Sequence, residues 1–174
     1  HEVRSSLKSA FGEPSQVVNS RKIRTEEKRF IVKPLVSLGL PVFNGENYLR
    51  EAIQSVLEQD YPNWELLIFD NASNDATEAI AREFAESDER IHYVRQPENL
   101  GAVPNFNQTF EASRGQYFKW FAHDDRLRSD YLSRCVEVLE NEPSVSLCHS
   151  WVEVLKPDGS VKEQRGPYLP HADS

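Results

Sequence analysis

Two adjacent carboxylates, Asp124 and Asp125, follow directly on a run of β-formers from Tyr117 to Ala122. Apolar residues fall on both faces of that run, the pattern of a strand buried within a sheet. In open α/β sheets, functional groups gather where strands end at their carboxyl edge. A strand that delivers a carboxylate pair to that edge makes a candidate cation site. Hard divalent ions such as Mg²⁺ and Mn²⁺ take carboxylate oxygens, keep several waters and complete their shell with substrate phosphates. Taken alone, the pair is better explained as a cap on the helix that follows. The motifs elsewhere in the chain reverse that preference.

Two other stretches place polar chemistry at strand ends. Pro41-Val42-Phe43-Asn44-Gly45 follows the first strand, and Asp70 to Asp75 follows the second. No GxGxxG lies behind the first strand and no GxxxxGK[ST] occurs, which sets aside dinucleotide binding and P-loop NTP hydrolysis. A receiver-type signalling domain needs acidic residues after its first strand, where Leu38-Gly39-Leu40-Pro41 stands instead. A nucleotidyltransferase would want a Gly/Lys-rich phosphate loop at the same place, and it is missing.

The elements that must hold these residues can be read from periodicity. Leu35 to Leu40 predicts a strand, closed by the turn chemistry of Pro41 and Asn44-Gly45. A helix from about Glu46 to Gln59 carries Tyr48, Leu49, Ala52, Ile53, Val56 and Leu57 as one stripe. Trp64–Phe69 predicts the second strand. A second helix starts near Asp75, with Glu78 reaching back as in a capping box and Ala76, Ala79, Ile80 and Phe84 inward. Ile91–Val94 predicts the third strand, and a helix from Pro104 ends at Gly115, where the fourth strand begins. Tyr131–Glu140 predicts an amphipathic helix with Leu132, Val136 and Leu139 on one face. Val145–Leu155 predicts a further strand, turned at Pro157-Asp158-Gly159 into a short return at Ser160-Val161. This alternation implies an α/β fold: a three-layer, doubly wound, mostly parallel sheet.

The 174 residues suit one domain, and the net charge of −8 argues against nucleic acid or an anionic membrane surface as the main partner. Residues 1–33 carry a net +4 and little apolar periodicity, against −12 for the remainder. They are expected to form a polar extension or linker, with a short helix around Arg24–Arg29 and order beginning at Phe30–Val32. Residues 34–162 are expected to form the folded domain and residues 163–174 a tail. No run of about 18 apolar residues predicts a membrane span, and no signal-peptide core is visible. A chain beginning at His1 suggests a processed protein or an excised piece. Cys135 and Cys148 lack metal-ligand spacing and are expected as buried thiols of a reducing compartment, the cytoplasm or its membrane periphery.

Four motifs in order resemble those of the inverting, GT-A-fold glycosyltransferases of family 2. They are Leu40 to Gly45, Asp70-Asn71-Ala72-Ser73-Asn74-Asp75-Ala76-Thr77, Asn99-Leu100-Gly101, and Arg114-Gly115-Gln116-Tyr117 leading into Ala122-His123-Asp124-Asp125. The resemblance covers roughly Leu35 to Val161. It implies a nucleotide-sugar donor, UDP- or dTDP-linked, with Asp70 hydrogen-bonded to the base. Pro41, Val42 and Asn44 would line the base and ribose. Asn99, Gly101 and Asn107 would shape the floor of the donor site. Asp125 would bind Mg²⁺ or Mn²⁺, with Asp124 facing the ribose or a metal-bound water.

Many relatives carry Arg where Phe106 stands, so that contribution must come from elsewhere or be absent. The acceptor implied is a glycan, a lipid-linked sugar or a protein. The general base of an inverting transferase is expected beyond residue 174, because no acid after Asp125 sits in a suitable context. The chain alone is therefore expected to transfer sugar negligibly. The competing expectation is a non-catalytic sugar-nucleotide-binding module of a larger protein.

Overall fold

A computed structural model describes residues 34–156 and 158–166. The expected N-terminal helix, the expected beginning of order at Phe30–Val32 and most of the C-terminal tail lie outside the described residues. The elements run β1 (Val36–Val42), α1 (Leu49–Leu57), β2 (Trp64–Asp70), α2 (Thr77–Ser87), β3 (Ile91–Arg95), α3 (Ala102–Glu111), β4 (Tyr117–Trp120), α4 (Tyr131–Asn141), β5 (Val152–Leu155) and β6 (Val161–Arg165).

β1 and β2 are buried at every position, as expected of strands covered by helices on both faces. They pair in parallel from Val36 opposite Trp64 to Val42 opposite Asp70. β3 adds in parallel outside β2, and β4 in parallel outside β1, so the sheet order is β3-β2-β1-β4. α1 packs Leu49, Ala52, Ile53 and Val56 into the core; Tyr48, which heads the expected stripe, is exposed. On α2 the inward positions belong to Thr77, Ala81 and Phe84, while Ala76 and Ala79 face out. α2 has no side-chain cap in the expected capping-box sense. Asp75 bonds the Thr77 N–H at 3.0 Å, but Glu78 turns away to Arg82 and Arg95.

Two expectations about the sheet need correction. β4 is an edge strand among the described residues, half-buried, with Trp120 exposed. The apolar residues on its outer face meet helix aromatics rather than another strand: Phe110 of α3 stands edge-to-face with Phe118 at 5.0 Å and tilted against Trp120 at 6.1 Å. The segment from Val145 does not extend the parallel sheet. Only Val152–Leu155 is strand, and it forms a separate antiparallel pair with β6, which continues through Arg165 beyond the expected return. Cys135 and Cys148 are half-buried free thiols. Burial and the neighbouring Cys148 push Cys135 up to about 11, so it stays protonated at neutral pH.

A buried acid fastens the amino-terminal edge. Glu65 accepts from Ser37 Oγ at 2.6 Å, from Arg114 N at 2.9 Å, and from Arg114 Nη2 at 2.6 Å. Gly115 N donates to Ser37 Oγ at 2.8 Å, closing the link from β1 through β2 to the start of β4. Glycine is required there: a Cβ on Gly115 would lie 2.6 Å from Ser37 Oγ and 2.7 Å from Ser37 N.

Candidate functional site at the carboxyl edge of the sheet

The chain runs outward from β1 through β2 to β3, then returns to the other side of β1 to form β4. Ligands of open α/β sheets bind at the carboxyl ends beside such a reversal. A cleft of about 170 Å³ opens at that edge. It is lined by Pro41, Val42 and Phe43 from the end of β1, Asn71 just beyond β2, and Asn99 and Asn105 before and within α3. Its size suits a ring rather than a whole nucleotide sugar.

The loops after β1 and β2 are zipped together by reciprocal hydrogen bonds. Asn44 N donates to Ser73 Oγ at 2.9 Å, and Asn44 Oδ1 accepts from Asn74 N at 3.0 Å. Gly45 N donates to Thr77 Oγ1 at 2.8 Å. Glu46 N donates to Asp75, while Glu46 Oε2 accepts from Ala76 N. Asn44 and Ala72 both adopt left-handed backbone, with φ of 53° and 62°. For Ala72 that conformation is costly, and the zipper around it holds it. Asn44 thus shapes the loop beside the cleft.

Asp70, expected to meet a base directly, is fully buried. Its Oδ1 accepts from Ser73 N at 2.8 Å; its Oδ2 accepts from Tyr93 Oη at 2.7 Å and Arg95 Nη1 at 2.8 Å. Arg95 also donates to Ser73 O at 2.8 Å. Burial and the Asp70 carboxylate drive the Tyr93 hydroxyl well above its ordinary range, so it is a permanent donor. The side chain that lines the cleft is the next one, Asn71. Its Oδ1 accepts from Leu100 N at 2.8 Å, and its Nδ2 donates to Asn99 Oδ1 at 2.8 Å and Gly101 O at 3.2 Å. Gly101, at φ 84°, takes the turn into α3. Asn107 lies on a neighbouring apolar hollow with Val103 and Trp120, and Ala102 and Phe106 line both that hollow and the cleft.

Asp70→Ala removes a buried carboxylate and so strips the Arg95 guanidinium, the Tyr93 hydroxyl and the Ser73 N–H of their acceptor at once. The expected loss of stability is about 2–4 kcal/mol, measured by urea unfolding. Nucleotide affinity should fall with it because the loop carrying Asn71 loosens. Unchanged stability with lost affinity would restore Asp70 to direct contact.

Beyond β4, Phe121 N donates to Gly39 O at 2.8 Å and its ring is buried, so the chain leaves the sheet on a fixed path. Asp125 N closes a turn on Ala122 O at 3.2 Å. His123 lies against the β1 loop: a Cβ on Gly45 would fall 2.8 Å from His123 Cδ2. Loop contact therefore joins the acidic pair to the cleft side of the edge. Asp124 and Asp125 are exposed residues. Partial desolvation in the loop, then the neighbouring Asp124 charge, raises the Asp125 carboxyl above its ordinary value, with Lys119 and His123 opposing. Lys119 itself is lowered by burial on β4 and sits 5.2 Å from the Tyr131 ring centroid.

Among the described residues, no cluster of three or more His, Cys, Asp or Glu side chains could hold a metal unaided. The pair nonetheless fits the smaller donor set of a Mg²⁺-type ion, which takes one or two carboxylates and fills its shell with waters and phosphate oxygens. Two like charges whose repulsion raises one pKa are relieved by such a cation.

This fold is that of the GT-A transferases. S. aureus TarS 1-349 in complex with UDP-GlcNAc superposes with a TM-score of 0.59 at 18% identity, over 69% of this chain and 40% of that one. The mannosyltransferase PcManGT from Pyrobaculum calidifontis, solved with GDP-Man and Mn²⁺, gives 0.59 at 23% identity over 90% of this chain and 43% of that one. Residues 37–171 match the family model of Glycosyl transferase family 2, and the chain belongs to that family. TuaG of Bacillus subtilis (strain 168), named as a glycosyltransferase of teichuronic acid biosynthesis, is 34% identical over 128 residues, which are 74% of this chain and 50% of TuaG. The glycosyltransferase RP339 of Rickettsia prowazekii (strain Madrid E) is 36% identical over 124 residues, 70% of this chain and 38% of that protein. The chain thus spans half or less of the length of these relatives.

Proposed function

We propose that this chain forms the donor-binding part of a metal-dependent, inverting glycosyltransferase that takes a nucleoside-diphosphate sugar, UDP- or dTDP-linked. The observation that carries this reading is the junction of a ring-sized cleft and a carboxylate pair on one sheet edge, in loops that touch. The base and ribose rest on Pro41, Val42 and Asn71, in a loop whose shape Asp70, Ser73 and Arg95 fix from behind. Asp125, with Asp124 beside it, would hold Mg²⁺ or Mn²⁺, which when bound would supply positive charge at the diphosphate. In the reaction an acceptor hydroxyl oxygen bonds to the anomeric carbon from the face opposite the diphosphate. The carbon–oxygen bond to the diphosphate breaks with its electron pair, and the hydroxyl proton passes to a general base.

That base is not assigned within the chain. Glu163, the acid to consider first in the C-terminal segment, stands exposed on β6 with its pKa lowered by Arg165, which makes it a poorer proton acceptor. The acceptor is a glycan, a lipid-linked sugar or a protein. Among the described residues no helix is long and apolar enough to cross a membrane. Calorimetry with UDP and dTDP tests the reading: binding should tighten markedly with Mn²⁺ or Mg²⁺ over chelator. Equal binding in both conditions would defeat the metal-dependent donor site.

A further inference from the structure

The chain has two cysteines, Cys135 and Cys148, and the fold brings them together from different segments. Cys135 sits on α4 beside Leu132 and Val136, which carry the buried face of that helix, and is itself half-buried. Cys148 belongs to the stretch between α4 and β5, where residues 145–151 form neither helix nor strand. Its neighbours from Ser146 to Val152 are exposed, Leu147 and Trp151 among them, while Cys148 is half-buried. What it turns to is Cys135. The two thiols share a side-chain hydrogen bond, and Cys135 is bonded in the same way to Tyr131, one helical turn back.

Packing alone is a poor account of this pair. A free cysteine usually serves as a small buried hydrophobe. Here Leu132 and Val136 already fill the place of α4 in the core, and the stretch around Cys148 leaves Leu147 and Trp151 in solvent. A disulfide needs converging Cβ atoms and sulfurs brought to about 2.05 Å. Thiols in hydrogen-bond contact already point at each other. The remaining approach falls to side-chain rotation and to residues 145–151, whose backbone belongs to no helix or sheet.

We propose that Cys135 and Cys148 form a thiol-exchange site: a low-molecular-mass disulfide of the glutathione type oxidises them to an internal disulfide, which fastens the stretch ahead of β5 onto α4.

The exchange runs in two steps. Cys148, flanked by exposed residues, loses its proton to solvent and attacks one sulfur of the dissolved disulfide. The sulfur–sulfur bond of the reagent breaks and one thiolate leaves. Cys135 then gives its proton to solvent and attacks the Cys148 sulfur, and the second thiolate leaves. Two protein thiols are oxidised, and one small disulfide is reduced to two thiols. Burial and the neighbouring Cys148 push the Cys135 thiol up to about 11, which makes it a slow first attacker. It serves as the resolving thiol, where contact with its target raises the effective concentration.

The test equilibrates the unaltered chain with a buffer of glutathione and glutathione disulfide at mildly alkaline pH, natively and in urea. Free thiols, intact mass and the unfolding midpoint are then measured. In the native chain both thiols should be lost and the mass should fall by that of two hydrogens. Peptide mapping should join the Cys135 and Cys148 peptides, and dithiothreitol should restore the starting state. The ratio of internal disulfide to glutathione adduct should be about 10- to 100-fold higher natively than in urea, because the fold supplies the contact. For the same reason the closed form should melt roughly 3–10 °C higher. Two thiols left free, a chain that stops at glutathione adducts, or chains joined to one another would each overturn the site. An equal ratio in urea, or a melting temperature unmoved or lowered by the bond, would overturn the fastening. None of these readouts depends on nucleotide, so the inference stands or falls apart from the donor site.

Discussion

Asp125→Ala should abolish the strengthening of nucleotide binding by Mn²⁺ or Mg²⁺ and leave the fold intact. The residue is exposed at the end of a turn closed by its own backbone N–H, so removing its side chain costs little stability. Its electrostatic setting is unfavourable without a cation: desolvation and Asp124 both raise its pKa, against the milder opposition of Lys119 and His123. A divalent ion reverses that balance and at the same time neutralises the diphosphate. In a partly dry site at an effective dielectric near 20, the coupling is expected to be about 2–4 kcal/mol, roughly 30- to 700-fold in affinity. Calorimetry of the variant with and without metal checks it. The affinity in chelator should match that of the unaltered chain, and the metal increment should be gone. Retention of the increment would move the ion to other ligands.

The second large effect concerns stability. Glu65→Ala should destabilise the domain by about 2–4 kcal/mol, because the Ser37 hydroxyl, the Arg114 N–H and the Arg114 guanidinium lose their common acceptor at once. For a domain of this size that corresponds to a fall of roughly 5–15 °C in Tm. Burial pushes the Glu65 carboxyl up, but the hydrogen bonds from Ser37 and Arg114 together outweigh it and hold the pKa below its ordinary value of 4.5. A carboxylate lowered on folding stabilises the protein above its unfolded pKa, and that contribution is lost as pH falls through the folded value. The unaltered chain should therefore lose stability as pH drops below 4.5, and Glu65→Gln should flatten that acid limb. An acid limb of equal slope in the variant would assign the acid sensitivity to other carboxylates.

The parallel α/β architecture was legible because β1 and β2 are short, mostly apolar runs and the helix between them carries a clean stripe of Leu49, Ala52, Ile53 and Val56. The edge position of β4 was not, since apolar residues on both faces of Tyr117–Ala122 look the same whether a strand or the aromatic side of α3 covers them. The strand from Val145 was over-extended for a similar reason: Leu147, Trp151 and Val152 read as β-formers, yet all three are exposed.

Within the candidate site, the residue types pointed to these loops, and only the fold shows which side chains are buried and which line the cleft. Successive side chains near a strand end point to opposite sides, so Asp70 goes into the core and Asn71 to the cleft. The signal for Asn105 was present as a polar residue four before Thr109, one helical turn apart on a single face, with Val103, Phe106 and Phe110 off it. Lys119 was hidden among the β-formers of its own strand, and only the fold brings its charge near Asp125.

The location of the donor site is tested most directly by backbone amide NMR on the labelled chain, titrated with UDP in the presence of Mg²⁺. The central claim predicts that the shifting amides gather at the carboxyl edge: Val42 and Phe43, Asn71 to Ser73, Asn99 to Asn105, and His123 to Asp125. Shifts confined to the β5–β6 pair or to the amino-terminal edge around Glu65 and Arg114, or no shifts at millimolar UDP, would contradict it.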